Sequence, residues 1–360
     1  MPFDAQAPFL STAAAPAGRT RAVAWWLLAV AAMVWVMVAL GGATRLTGSG
    51  LSIMEWAPLR GTLPPMSEAE WNRLYDLYRT IPQYELVNRG FGLEGFKGIF
   101  WLEWSHRLWG RLIGLVYGLG LLWFWLRGAI PKGYGARLLL LLALGGLQGA
   151  VGWFMVASGF EADRTAVSPW RLVIHLGLAL LLFGVLLWTA LSLLRPERDA
   201  PPEARSLRPL AHATAGLVVL TMLAGGFVAG IKAGLDYNTF PLMGGRLVPE
   251  GYGGTAFLHA LVGDVATVQF NHRLLATLAG LAALALGALG LARLPAGRAR
   301  RATAGFAALV ALQYALGVAT LLLVVPPALG TLHQTVAVAV LAGALVLLHA
   351  LRRPRAGRPA

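Results

Sequence analysis

Four histidines stand where long apolar stretches begin: His106, His175, His272 and His333. An ionisable side chain inside a membrane-length apolar segment is costly, and its presence there points to function. Neutral imidazole is the commonest side-chain metal ligand and an axial ligand of heme iron. Four imidazoles at matching depths therefore suggest two pairs of axial ligands, each pair clamping one porphyrin iron. Two of them have nearly the same surroundings: Glu103-Trp104-Ser105-His106-Arg107 and Gln269-Phe270-Asn271-His272-Arg273. These differ at the position one helical turn before the histidine. The carboxylate of Glu103 can exchange a proton or offset positive charge, whereas the amide of Gln269 cannot ionise. This predicts one site for chemistry, with Glu103 as its catalytic residue, and one for holding heme or passing electrons. On that reading Glu103→Gln stops the chemistry and Gln269→Glu is nearly silent. Arg107 and Arg273 lie at the outer boundary, where a guanidinium either pairs with heme propionates or snorkels to the headgroups. His212, His259 and His349 have no repeat-matched counterpart and read as ordinary interfacial or packing residues.

What must position these residues is a set of membrane helices. Of 360 residues, 57% are hydrophobic and 13% charged, and roughly 20 apolar residues span a hydrocarbon core about 30 Å thick. Eight such runs fall near 22–44, 104–126, 136–158, 170–194, 208–231, 270–293, 301–325 and 328–350. They leave no soluble domain and predict an all-α, polytopic membrane protein. A net charge of +14 would otherwise suggest nucleic acid. However, 17 of the 30 basic residues lie at the termini and in the even-numbered loops, against 10 in the odd-numbered ones. Cytoplasmic segments carry that bias, so it accounts for the charge without a nucleic-acid partner and places both termini in the cytoplasm. With no cysteine, disulfides, thiolate ligands and thiol nucleophiles are excluded, and redox chemistry must come from a cofactor. Residues 1–21 read as a short disordered cytoplasmic tail. Their small-residue run, Ala13-Ala14-Ala15-Pro16, precedes the apolar stretch instead of following it, unlike a cleavable signal.

The chain repeats itself. An offset of 184 carries Gly41, Gly42, Gly50 and Leu51 onto Gly225, Gly226, Gly234 and Leu235, and Trp56 onto Phe240. Further on, His106 pairs with His272, Gln148 with Gln313, Gly152 with Gly317 and His175 with His333. A duplicated unit of four spans enters the membrane twice in the same orientation, so all four histidines face the outer side. The expected architecture is two pseudo-symmetric, parallel four-helix bundles. The first covers 22–195 with a long outer loop at 45–103, and the second covers 208–351. Within the outer loop, Ser67-Glu68-Ala69-Glu70 is a capping box that opens a helix bearing Trp71, Leu74, Tyr75 and Tyr78. It suits either a helix on the membrane surface or a plain cover over the bundle. Gly110 and Gly114, with Ala276 and Gly280, follow the first histidine of each unit at helical spacing and either leave room for a flat macrocycle or pack helix on helix. Gln148 and Gln313 read as hydrogen-bonding glue between helices, outside any site.

Taken together, several motifs resemble one family. They are Glu103-x-x-His106-Arg107 with Gln269-x-x-His272-Arg273, the exit Gly41-Gly42-x-Thr44-Arg45-Leu46-Thr47-x-Ser49-Gly50-Leu51-Ser52, Glu55-Trp56-x-Pro58, and Asn238-Thr239-Phe240-Pro241-Leu242-Met243. Over essentially the whole chain they resemble heme A synthase of the proteobacterial and mitochondrial type. The resemblance implies an inner-membrane oxidoreductase that oxidises the C8 methyl of heme O, through an alcohol and a geminal diol that loses water, to the formyl of heme A for cytochrome c oxidase. It assigns the substrate heme to the N-terminal bundle, on His106 and His175, and a heme b to the C-terminal bundle, on His272 and His333. Implied partners are the bilayer, the farnesyltransferase that makes heme O and cytochrome c oxidase assembly factors, with a homo-oligomer left open. One branch of the family has a cysteine pair in an outer loop, and this chain has none. Two rival readings are a di-heme b-type electron carrier, which gives no reason for the Glu103/Gln269 difference, and a duplicated transporter, which would show broken helices and midplane charges.

Overall fold

The structure, a computed structural model, describes residues 17–196, 200–254 and 256–352. Among these are α1 (Ala17–Leu46), α2 (Glu68–Tyr78), α3 (Pro82–Leu86), α4 (Gly92–Leu126), α5 (Gly135–Ala157) and α6 (Pro169–Leu194). The chain continues through α7 (Ala204–Gly230), α8 (Phe257–Gly263), α9 (Val265–Arg293), α10 (Arg298–Leu322) and α11 (Pro327–Ala350). Eight of these helices, all but α2, α3 and α8, are long and apolar enough to cross a membrane. Of the tail expected over 1–21, residues 1–16 lie outside the described residues, while the remainder already belongs to α1.

Spans read from hydropathy agree with the helices to a few residues, with one large exception. The second span begins at Gly92 instead of near 104. Glu94, Lys97 and two glycines lower the hydropathy of this stretch without breaking its helix. It projects outward, and its face of Phe96, Ile99 and Phe100 is buried against Trp71, Leu74, Tyr75 and Tyr78 of α2. The capping box starts α2 as its sequence dictates, since Ser67 Oγ accepts from the Glu70 N–H at 3.2 Å. α2 is thus a cover packed on the extension of α4. Arg73 ties it to the loop below through both carboxylate oxygens of Glu55, at 2.9 Å each. That guanidinium holds the carboxyls of Glu55 and Glu70 below their usual range.

α1, α4, α5 and α6 pack in a ring, each against two neighbours, and α7, α9, α10 and α11 pack in another. The rings meet where α1 lies on α11 and where α6 lies on α7 and α11. Lipid tails are as apolar as leucine, so close packing, not hydrophobicity, selects these contacts. Glycines provide it. A Cβ on Gly42 of α1 would lie 2.7 Å from Gln334 Oε1 of α11, and one on Gly226 of α7 would lie 2.9 Å from Val173 and 3.3 Å from Leu176 of α6. Polar groups then lock the seam: Gln334 Nε2 donates to the Val38 carbonyl at 3.1 Å and Trp35 Nε1 to that of Thr335 at 2.8 Å. Arg45 donates to the carbonyl of Ala229 at 2.6 Å, and Ala229 is the residue that holds its own place in the second repeat.

Candidate functional site

Each of the four histidines lies against a glycine of a neighbouring helix. A Cβ on Gly41 of α1 would lie 3.2 Å from His106 Nε2, and one on Gly225 of α7 would lie 3.0 Å from His272 Cε1. One on Gly152 of α5 would approach His175 Cε1 to 2.9 Å, and one on Gly317 of α10 would approach His333 Cε1 to 2.8 Å. At 3.0–3.2 Å the imidazole would have to give by a few tenths of an ångström and below 3.0 Å it would have to shift, so the absent side chains let each imidazole lie close against its neighbouring helix. The glycines form repeat-matched pairs, as the histidines do. All four rings are half-buried. Within each ring of helices the two imidazoles are electrostatic neighbours, His106 with His175 and His272 with His333.

Hydrogen bonds orient three of the four rings. His272 Nδ1–H donates to the Thr221 carbonyl at 3.0 Å, which leaves the Nε2 lone pair of the neutral ring for a metal. Gln148 Nε2 lies 3.2 Å from His175 Nδ1 and donates to the His175 carbonyl at 3.1 Å. Gln313 repeats this on His333, at 3.1 and 3.0 Å. Sequence reading left both glutamines outside any site. They do bridge helices, but by gripping the candidate ligands, and their repeat-matched polarity at mid-membrane was the signal. Of the two readings of Gly110, room for a macrocycle or packing of helix on helix, its contact with Met37 of α1 fits the second.

Glu103 and Gln269, both 2% exposed, take opposite partners. The Glu103 carboxylate accepts from Ser52 Oγ at 2.7 Å and from the Ile53 N–H at 2.9 Å through one oxygen, and from Arg107 Nε and Nη2 at 3.0 and 2.6 Å through the other. The Gln269 amide donates to the carbonyls of Ala233 at 2.7 Å and Asp236 at 2.6 Å, while its oxygen accepts from Arg273 at 2.9 Å. So the loop after α1 presents donors to a carboxylate, and the loop after α7 presents acceptors to an amide. A carboxylate at position 269 would face the two carbonyl oxygens of Ala233 and Asp236, a cost that the expectation of a nearly silent Gln269→Glu did not include.

Arg107 also donates to the carbonyls of Ile53 and Glu55, the latter at 2.7 Å, and Arg273 to those of Tyr237 and Thr239 at 2.6 and 2.8 Å. Both arginines clamp a post-helix loop onto a ligand helix. Sequence reading passed over Arg111, one turn deeper. It donates to the carbonyls of Pro58 and Ala57 at 2.9 and 3.0 Å, drawing the first loop down along α4. Of the histidines read as ordinary, His349 is buried between Arg298 and Trp188, and His212 bonds back to the Arg208 carbonyl at 2.7 Å.

An eight-span helical membrane protein with two half-buried, glycine-backed histidine pairs on its spans has the make-up of an integral heme protein. Comparison with known proteins narrows this. Residues 24–345 match the family model described as cytochrome oxidase assembly protein, and the chain belongs to that family. It is 60% identical over 338 residues to the heme A synthase of Granulibacter bethesdensis, covering 94% of this chain and 89% of that one. It is 49% identical to that of Rhodospirillum centenum, covering 98% and 95%, and 48% identical to that of Caulobacter vibrioides, covering 93% and 98%.

Proposed function

We propose that this protein is a membrane oxidoreductase that converts heme O to heme A, taking the C8 methyl through two hydroxylations to a geminal diol, which loses water to give the formyl. The observation that carries this reading is the set of four repeat-matched imidazoles, each seated on a glycine, in a chain 60% identical to a heme A synthase over most of its length. The α1, α4, α5 and α6 ring takes the substrate on His106 and His175, and the second ring takes a resident heme b on His272 and His333.

The donor chemistry fits such a group. His272 is held in the tautomer that leaves Nε2 free, and the glycines hold the rings where a side chain would push them aside. A bound heme b supplies one-electron redox chemistry that this cysteine-free chain otherwise lacks. The protein's own residues do the rest. Gln148 and Gln313 orient two imidazoles, and Glu103 places a carboxyl group within one helical turn of His106. Arg107 and Arg273 fasten the loops over the sites, with their remaining N–H groups available to a heme carboxylate. Glu103 stabilises positive charge or accepts a proton as the methyl is oxidised. The electron-carrier alternative uses the same histidines but assigns no task to this carboxylate.

Membranes from a host that makes heme O but no heme A should acquire heme A when they contain this protein, as read by heme extraction and mass spectrometry. Unchanged heme O with intact heme b would leave the electron carrier standing instead. Both termini are cytoplasmic in this reading. A reporter after Arg358, outside the described residues, should therefore report the cytoplasm and one near Gly251 the periplasm. The reverse pattern would move all four histidines to the inner side.

A further inference from the structure

The two rings close differently along one seam. α9 and α10 pack along their length, whereas α4 and α5 approach only sparsely. The repeat explains this residue by residue. Toward the cytoplasmic end, α9 has Gly287 and Gly290, whose added Cβ atoms would lie 2.6 Å from Ala307 and 2.3 Å from Thr303 of α10. The same positions in the first unit are the bulky Leu121 and Phe124 on α4, with Leu142 and Leu138 in place of Ala307 and Thr303 on α5. Small residues let helix backbones meet, and bulky ones hold them apart. At the depth of the histidines, Tyr314 of α10 fills the α9–α10 seam. Its hydroxyl lies 3.0 Å from Thr277 Oγ1, its ring lies 3.7 Å from where a Gly280 Cβ would be, and Phe240 of the loop meets it at 6.2 Å between centroids. The counterparts of Tyr314, Thr277 and Gly280 are Gly149, Arg111 and Gly114. A Cβ on Gly149 or Gly114 would meet nothing within 4 Å, nor would one on Gly145 or Gly146. This opening is bounded. Tyr117 closes its inner end by donating to the Leu138 carbonyl at 2.7 Å, and Trp56 stacked on Trp153 closes its outer end at 6.0 Å. Beside it, Arg111 Nη1 is buried with no hydrogen-bond partner among the described residues.

We infer that the α4–α5 opening at Gly149 seats the long apolar tail of the substrate heme and lets it reach the bilayer, and that Tyr314 seals the equivalent opening around a resident heme without a tail. Heme O, as the product of a farnesyltransferase, bears such a tail, while heme b does not. A glycine-lined slot with lipid outside suits an isoprenoid chain that has no polar group to satisfy. A sealed seam instead favours retention. The inference rests on the first ring being the heme O site, and its test separates the two claims.

The purified full-length protein and its Gly149→Phe variant are titrated with heme O and, separately, with tail-less protoheme, following the bis-histidine Soret band of the first site. Gly149→Phe should weaken heme O binding at least tenfold and protoheme binding less than twofold. Equal binding of heme O by the two proteins, or equal loss of both hemes, overturns the inference. The reverse change, Tyr314→Gly, should speed transfer of the resident heme to apomyoglobin at least tenfold, and an unchanged transfer rate counts against the seal. If the unaltered protein binds heme O in the first site but forms no heme A, the enzyme reading fails while the tail seat is still decided by the titrations.

Discussion

Glu103 and Gln269 hold the same place in two copies of one structural unit, yet each is matched to its own loop. Around Glu103 the chain turns inward one hydroxyl and one backbone N–H, and around Gln269 it turns inward two carbonyls. The arginine one turn later is kept in both and joins side chain to loop in both. The divergence therefore lies not in one substituted side chain but in a side chain and its loop changing polarity together. A buried carboxylate needs donors for its oxygens, and a buried amide needs acceptors for its N–H groups, so each loop satisfies the side chain it faces.

The comparison breaks most completely at the ligands. His106→Ala or His175→Ala should abolish heme A while heme b remains, and His272→Ala or His333→Ala should remove heme b. Extraction and pyridine-hemochrome spectra read both, and a common loss from all four variants would merge the two sites into one. Next in size is Glu103→Gln, which keeps the shape but breaks a buried ion pair and turns an N–H toward existing donors. Heme A should fall by about 10²-fold or more, as for loss of an acid–base group, with heme O or a hydroxylated intermediate accumulating. Wild-type heme A in this variant would remove the carboxylate from the chemistry. Gln269→Glu sharpens the contrast. Its carboxylate would face the carbonyls of Ala233 and Asp236, with Arg273 offsetting part of the repulsion, so heme b content should drop partially while Glu103 and its loop are untouched. Full heme b retention would show that the second loop tolerates either polarity.

Smaller effects are expected from the residues that grip the ligands. Gln148→Leu should weaken heme binding in the first ring and Gln313→Leu in the second, each by ~10-fold, the lower end of what removal of a ligand's hydrogen-bond partner costs. Equal effects at both sites would show that the grip is common to the two rings. The smallest effect belongs to the cover that α2 forms over the extension of α4. Arg73 depresses the carboxyl pKa of Glu55 and Glu70, so their contribution is present above the ordinary glutamate value of about 4.3 and is lost as pH falls through the lowered folded values. Limited proteolysis near residues 55–70 should therefore rise below pH ~4, and Arg73→Ala should give that susceptibility at neutral pH.

Eight spans and two histidine pairs were legible in the sequence because hydropathy, helical spacing and the repeat all act locally along the chain. The extension of α4 was not, since Glu94 and Lys97 lower the hydropathy of a segment whose helix is held by the aromatic face of α2. Gln148 and Gln313 were visible as a repeat-matched pair, but their grip on the histidines depends on how α5 meets α6 and α10 meets α11. Gly41, Gly152, Gly225 and Gly317 were likewise recorded as matches. Only their contact with imidazoles on other helices gives the match a reason. Of the loop groups around Glu103 and Gln269, only the Ser52 hydroxyl is a side chain that the sequence displays; the others are backbone N–H and carbonyl groups, which are the same in every residue but proline.

The contact of Arg45 with Ala229 has a meaning in descent. In an isologous dimer, a residue near the two-fold axis lies against its own copy in the partner, and here a residue touches the occupant of its own position in the other repeat. The seams beside it keep the same plan, with Gly42 on Gln334 and Gly226 on Leu176. Such an arrangement is what remains when two identical subunits of four helices become one chain. An unfused ancestor would have been bound to two equal sites, since any mutation would appear in both. A fused chain lets each copy vary alone, and the two seams do differ: a polar Gln334 lies against Gly42 where an apolar Leu176 lies against Gly226.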